Sequence, residues 1–171
     1  MAEEIIEQGY RELADTILEH NPGVDLGRVR AAFELADRAH SGQKRKAGTP
    51  YVTHCVAAAQ ICAEMGLDED SIVAALLHDC IEDTAITHED IARQFGAEVA
   101  DIVEGVTKLT RVQFTSREDE QMENLRKMLM AMAKDIRVIL IKIADRLHNM
   151  RTMEYMVAQK QLEKSLETME I

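Results

Sequence analysis

The chain has 171 residues, 46% of them hydrophobic and 30% charged, with a net charge of −11, a length that suits one globular domain with its own core. The acidic balance excludes broad nucleic-acid binding, which rests on distributed positive charge. No apolar stretch approaches the ~20 residues of a membrane span, the acidic start MAEEIIEQGY lacks a signal peptide's basic region, and Cys55, Cys62 and Cys80 form no C-x-x-C pair, so a reducing cytoplasm without membrane contact is expected.

The pattern is helical nearly throughout. Residues 25–41 are predicted to form a helix with Phe33, Ala36 and His40 on one face. The loop SGQKRKAGTP follows, with two glycines and a proline as breakers. Its stretch QKRKAG, 43–48, is the one obvious basic patch for a small anionic ligand, although three basic residues in a loop are more often simply solvated. Pro50 suits the first turn of the next helix, YVTHCVAAAQICAEMG, closed by Gly66. DEDSIVAALLHDC is predicted as a helix with acidic residues at its positive end. Thr87 to Asp90 resembles a capping box opening EDIARQFG. In AEVADIVEGVTKLT the apolar face is Val99, Ile102, Val103 and Val106, and Ser116 is placed to cap REDEQMENLRKMLMAMAK.

In DIRVILIKIADRLHNMRTM, the run IRVILIKI has a strand's composition. Because no second strand-like run exists to pair with it, the segment is predicted helical. AQKQLEKSLETMEI is amphipathic, with Leu162, Leu166 and Met169 at i, i+4 and i+7. It stops at Ile171 without a capping residue, as a fragment of something longer would. Two prolines and no repeat or low-complexity linker predict a single all-α domain over 1–171, its motifs within about 25–156 and a C-terminal helix over 157–171.

The chemistry concentrates in three places. In HDCIED, His78 and Glu82 are four apart, as are Asp79 and Asp83, so a continuing helix would carry four polar groups on neighbouring faces. Asp145 follows an apolar run, with His148, Asn149 and Thr152 at i+3, i+4 and i+7. His54 has the apolar helical neighbours Ala57, Ala58 and Ile61. Convergence of His54, His78, Asp79 and Asp145 would make a two-His, two-Asp site, suited to Mn²⁺, Fe²⁺ or Zn²⁺ rather than Mg²⁺ or Ca²⁺. Singly, each has a bland reading as a satisfied core histidine or a capping aspartate; together these require four coincidences. His20, His40, His88 and His148 are assigned as structural or surface residues. Cys55 beside His54 lacks a third group to orient a nucleophile and reads as core. Met122, Met128, Met130, Met132, Met150, Met153 and Met156 suggest adaptable packing or a contact surface, with core the default for most of them.

The motifs RKAGTPYVTH, HDCIEDT and ADRLHNMRT, in this order and spacing, resemble the hydrolase domain of the RelA/SpoT homologues, which make and degrade the bacterial alarmone (p)ppGpp. The resemblance runs from about Ala31 to Tyr155. It implies the helical fold of the HD superfamily of metal-dependent phosphohydrolases and Mn²⁺-dependent removal of the 3′-pyrophosphate of (p)ppGpp, yielding pyrophosphate and GDP or GTP. Residue by residue, it assigns the metal to His54, His78, Asp79 and Asp145 and the attacking water to Glu82 and Asp83. It places Arg45 and Lys46 at the nucleotide and Asn149 and Thr152 on the guanosine side, with Arg151 in the same motif. The sequence departs from the family at Cys55, where Pro is frequent, and at Ala47, where a small polar residue occurs. The resemblance further implies a longer parent enzyme, a GTP pyrophosphokinase, whose synthetase and regulatory domains are the missing partners. The competing readings are another HD-superfamily nucleotide hydrolase and a hydrolase-like regulatory domain. The intact His78-Asp79 and Glu82-Asp83 pairs count against the regulatory reading.

Overall fold

The structure, a computed structural model, describes residues 2–110 and 117–169, with the side chains of a few helical positions, among them Met128, Met132 and Met169, outside that description. The predicted cap at Ser116 also lies outside the described residues. The fold is all-α, as predicted. The elements are α1 (Ala2–His20), α2 (Leu26–Ala39), α3 (Val52–Glu64), α4 (Glu69–Leu77), α5 (Cys80–Asp83), α6 (His88–Phe95), α7 (Ala97–Thr110), α8 (Arg117–Lys134), α9 (Ile136–Arg151), a 3₁₀ turn (Met153–Tyr155) and α10 (Ala158–Met169). The strand-like run IRVILIKI is helical, within α9. No described helix is long and apolar enough to cross a membrane.

Helices α3 and α4 are the centre. Every residue from Ser71 to Leu77 is buried, as a helix apolar all round must be. α3 packs against α1, α4 and α9, while α4 also touches α2 and α7. Ala58, Ala59 and Ala63 of α3 and Ala74 and Ala75 of α4 lie in this core, and such short side chains let backbones approach closely.

The helix starts follow local chemistry. The Asp25 carboxylate accepts from the backbone N–H of Gly27 and Arg28, and that of Asp68 from Ser71. Thr87 and Asp90 form the expected reciprocal capping box. Two arginines then hold the start of α4. Arg28 reaches Glu69 (2.7 Å), Asp70 (2.5 Å) and the Phe95 carbonyl (2.6 Å). Arg137 joins Asp68 (2.8 Å), Asp135 (2.6 Å) and Glu98, binding the starts of α4, α9 and α7 together.

One expectation needs correction. The described methionines of that set are not core: Met122 is 74% and Met130 54% exposed, and Met150, Met153 and Met156 are half-buried. Ala, Val, Ile and Leu of α2, α3, α4 and α7 already fill the interior, where a flexible thioether has no gap to fill. Along the amphipathic α10, Leu162 is 62% and Leu166 41% exposed.

Where α7 meets α9, a Cβ on Gly105 would lie 2.9 Å from a γ-methyl of Val138. Val138 is itself buried and β-branched, so it cannot swing aside. Gly105→Ala is therefore expected to destabilise by about 1–2 kcal/mol, overpacking outweighing the ~1 kcal/mol helix-propensity gain. Denaturant unfolding checks this: in a Val138→Ala background the same substitution should become neutral or stabilising.

Candidate metal centre

The helix predicted over DEDSIVAALLHDC does not run on unbroken through HDCIED. α4 ends at Leu77, His78 and Asp79 form a turn, and α5 begins at Cys80. One contact accompanies the break: the Nδ1–H of His78 donates to the Ala75 carbonyl at 2.7 Å. A carbonyl only accepts, so the proton is on Nδ1 and Nε2 carries a lone pair unless the ring is doubly protonated.

That lone pair points into a buried cluster. His54 and His78 are each 1% exposed and Asp145 is 7% exposed. Ligand atoms of these three lie within 4.8 Å of one another. Asp79 completes the group, its Oδ2 3.1 Å from His78 Nε2 and 3.6 Å from His54 Nε2. Asp145 Oδ1 is 3.1 Å from His54 Nε2 and 3.7 Å from His78 Nε2. The loop end of α3, the end of α4 and the middle of α9 thus bring together all four predicted ligand positions.

The residues fit a cation. His78 Nε2 is a buried polar atom without a hydrogen-bond partner, and such an orphan is costly unless something else satisfies it. Nitrogen and carboxylate oxygen bonded at about 2.0–2.2 Å to a transition metal lie about 3.0–3.5 Å apart across a tetrahedral or octahedral edge, which brackets the shorter separations here. Burial works against the His78 imidazolium, but Asp79 and Asp145 outweigh it and hold His78 well above its ordinary value. Burial also opposes both carboxylates, yet His78 and His54 keep Asp79 and Asp145 below the usual carboxylate range, Lys142 assisting at Asp145. Burial pushes the Cys55 thiol well up, consistent with its core assignment.

Around the cluster the structure adds groups that the sequence reading passed over. The Tyr51 hydroxyl donates to Asp79 Oδ2 (2.7 Å) and stands 3.4 Å from Asp83 Oδ2. Burial and then Asp79 raise its pKa, so it stays a donor. Its ring stacks on His40 at 4.6 Å between centroids, and buried His40 contacts Gln43 (2.9 Å). Lys142 Nζ donates to Asp145 Oδ2 at 3.0 Å. His148, assigned above to structure or surface, is half-buried with its Nδ1 2.7 Å from His54 Nδ1. Burial, with the His54 ring and the Arg45 cation nearby, pulls it down to about 4, so it is neutral at neutral pH. Its i+3 spacing from Asp145 was the available signal; Tyr51 and Lys142 had the same one, three residues before His54 and Asp145. His20 and His88, by contrast, make only exposed contacts, to the Thr16 carbonyl and to Asp101.

The other predicted positions are distributed as follows. Arg45 turns inward from the loop and donates to Asn149 Oδ1 (2.7 Å), and Asn149 Nδ2 donates to Asp145 Oδ1 (2.8 Å). The loop is closed by Arg45 N–H to the Thr49 carbonyl (2.9 Å) and by a turn ending at Gly48, whose φ of +82° suits glycine. Lys44, Lys46 and Arg151 are exposed. Thr152 caps α9, its hydroxyl donating to the His148 carbonyl (3.1 Å). Glu82 is half-buried and Asp83 exposed.

Tyr51→Phe keeps the ring on His40 but removes the donor to Asp79. Divalent-metal affinity, measured by chelator competition, is expected to fall about tenfold, the lower end of the usual loss for an outer-shell partner, with unchanged helical circular dichroism.

Comparison with known proteins agrees with this arrangement. Residues 32–171 match the HD domain family. The bifunctional (p)ppGpp synthase/hydrolase SpoT of Escherichia coli K12 is 49% identical over 162 residues, covering 95% of this chain and 23% of that protein. The GTP pyrophosphokinase of Myxococcus xanthus is 48% identical over 159 residues, covering 91% of this chain and 21% of that protein. The chain thus spans about a quarter of the length of these curated relatives. A solved structure, described as a metazoan ortholog of SpoT that hydrolyzes ppGpp, superposes with a TM-score of 0.69 at 29% identity over 84% of this chain and 82% of that one.

Proposed function

The chain belongs to the HD-domain family, with homology to the RelA/SpoT hydrolases, and on that premise we propose that it removes the 3′-pyrophosphate of (p)ppGpp to give pyrophosphate and GDP or GTP, with Mn²⁺ as its cofactor. The observation that carries this reading is the buried cluster of His54, His78, Asp79 and Asp145 with its partnerless Nε2, set beside an inward-turned arginine from the basic loop. A hydrolytic domain within a longer parent that also holds synthetase and regulatory domains goes with the proposal.

His54 and His78 through Nε2, with Asp79 and Asp145, would hold the ion. When bound, such an ion polarises a phosphoryl oxygen and lowers the pKa of a water. The chain's own groups do the rest. Glu82 and Asp83, one turn beyond the ligands, orient the attacking water and take its proton. The bond between the 3′ oxygen and phosphorus breaks, hydroxyl goes to phosphorus, and the 3′ oxygen leaves with a proton. Gln43, whose side-chain N–H donates to the Asp83 carbonyl (3.2 Å), ties the basic loop to α5, so substrate-holding and water-holding segments keep register. Arg45 and Lys46 meet the nucleotide, Arg45 either stacking on guanine or gripping phosphate oxygens in pairs. Asn149 and Thr152 line the guanosine side, with Arg151 beside them.

The test is incubation with (p)ppGpp and Mn²⁺, reading released pyrophosphate. Chelation should abolish turnover and Mn²⁺ restore it. Asp79→Ala should lose both ion and activity, whereas Glu82→Gln and Asp83→Asn should keep the ion and lose turnover by about 10²-fold or more. Activity on other nucleotides but not on (p)ppGpp would instead favour another substrate within the same family.

The basic loop gives a separate outcome. Arg45→Lys keeps charge but loses the planar fork and its Asn149 contact, so kcat/KM for (p)ppGpp should fall, while Lys44→Ala does little. Equal losses for Lys44→Ala and Lys46→Ala with Arg45→Lys silent, all screened by salt, would leave only a generic anion funnel.

A further inference from the structure

We propose that His148 is a positioning residue that fixes His54 in the tautomer whose Nε2 is free to coordinate an ion, making α9 the source of both a ligand and the partner that orients a ligand on α3. This rests on the metal-centre reading above and assigns a role to a residue outside its ligand set.

The geometry couples the tautomers of the two rings. His54 Nδ1 and His148 Nδ1 are 2.7 Å apart, so one ring donates and the other accepts. At the far side of the same ring, His54 Nε2 faces Asp145 Oδ1 at 3.1 Å and Asp79 Oδ2 at 3.6 Å. For Nε2 to offer a lone pair, the only ring proton of neutral His54 must sit on Nδ1. It then donates to His148 Nδ1, and the proton of His148 must be on its own Nε2. His54 is 1% exposed, so water cannot stand in, and a buried N–H left without an acceptor carries its full desolvation penalty. The partner of a ligating histidine also raises the basicity of the ligating nitrogen. The two ligand histidines thus solve one problem differently: His78 uses a backbone carbonyl of its own helix, whereas His54 is locked from another helix, one turn past Asp145 in α9. Ring packing alone, with centroids 4.8 Å apart and planes tilted 38°, does not require the two Nδ1 atoms to face each other.

The experiment compares wild type, His148→Phe, which keeps a ring without an acceptor, and His148→Gln, which keeps an acceptor without a ring. Mn²⁺ and Zn²⁺ affinities are read by chelator competition, and the Zn²⁺-loaded wild type is examined by long-range ¹H–¹⁵N correlation for its histidine tautomers. The expected result is Nδ1–H on His54 and Nε2–H on His148. His148→Phe should bind both ions about 10–100-fold more weakly, and His148→Gln should recover most of that loss. A packing role predicts the reverse order, His148→Phe near wild type and His148→Gln worse, and would overturn the proposal. So would an Nδ1 proton on His148 in the Zn²⁺-loaded protein, a test that needs no variant to fold. A wild type that binds neither ion overturns the metal-centre reading and this one with it; a His148→Phe that binds like wild type overturns this one alone.

Discussion

Four acceptor atoms in one buried volume are the constraint on which the rest of the molecule depends. Two imidazole lone pairs and two carboxylates repel one another in a low-dielectric interior, and burying them is costly unless a cation or a proton sits among them. The surroundings are built to keep them there. α4 is buried on every side from Ser71 to Leu77, and both it and α3 are rich in alanine, so their backbones approach closely. The acidic start of α4 is anchored by Arg28 and Arg137. With that end fixed, the other end delivers His78 and Asp79 to a defined place.

Between α4 and α5 the chain turns at His78 and Asp79 without leaving the helical region of backbone dihedrals, and the Nε2 of one and the Oδ2 of the other end 3.1 Å apart at one centre. Tyr51 then restrains the Asp79 carboxylate from α3's entrance, while Lys142 and Asn149 each occupy an oxygen of Asp145.

How far this was legible follows from the range of each interaction. The capping box at Thr87 depends on a residue three positions away, and the sequence displays it directly. The helical character of IRVILIKI was legible from the absence of a pairing strand. The convergence of His54, His78, Asp79 and Asp145 was legible as polar interruptions of apolar helices. The helix break was not, because HDCIED keeps a helical spacing throughout. The described methionines misled because their chemistry reports adaptability and not location; the core is already filled by side chains of other helices. His148 lies three residues from Asp145, but spacing cannot say that its ring turns toward a histidine 94 positions away. Such a contact exists only once α3 and α9 are packed.

The charge layout explains how a protein of net charge −11 can receive an anion at an acidic centre. On the proposed reading, a divalent ion balances Asp79 and Asp145, so the ligand cluster itself contributes no net charge. What remains is unevenly placed. Lys142 and, through Asn149, Arg45 bear on Asp145 from the α9 side, while Asp83 lies beyond Tyr51 on the α5 side. Cations on one flank and the Asp83 carboxylate on the other set a field across the centre. On the proposed reading a pyrophosphate group is drawn to the basic flank, and the acidic flank is left to water. Neutralising either flank alone would leave binding and water activation competing for the same ground.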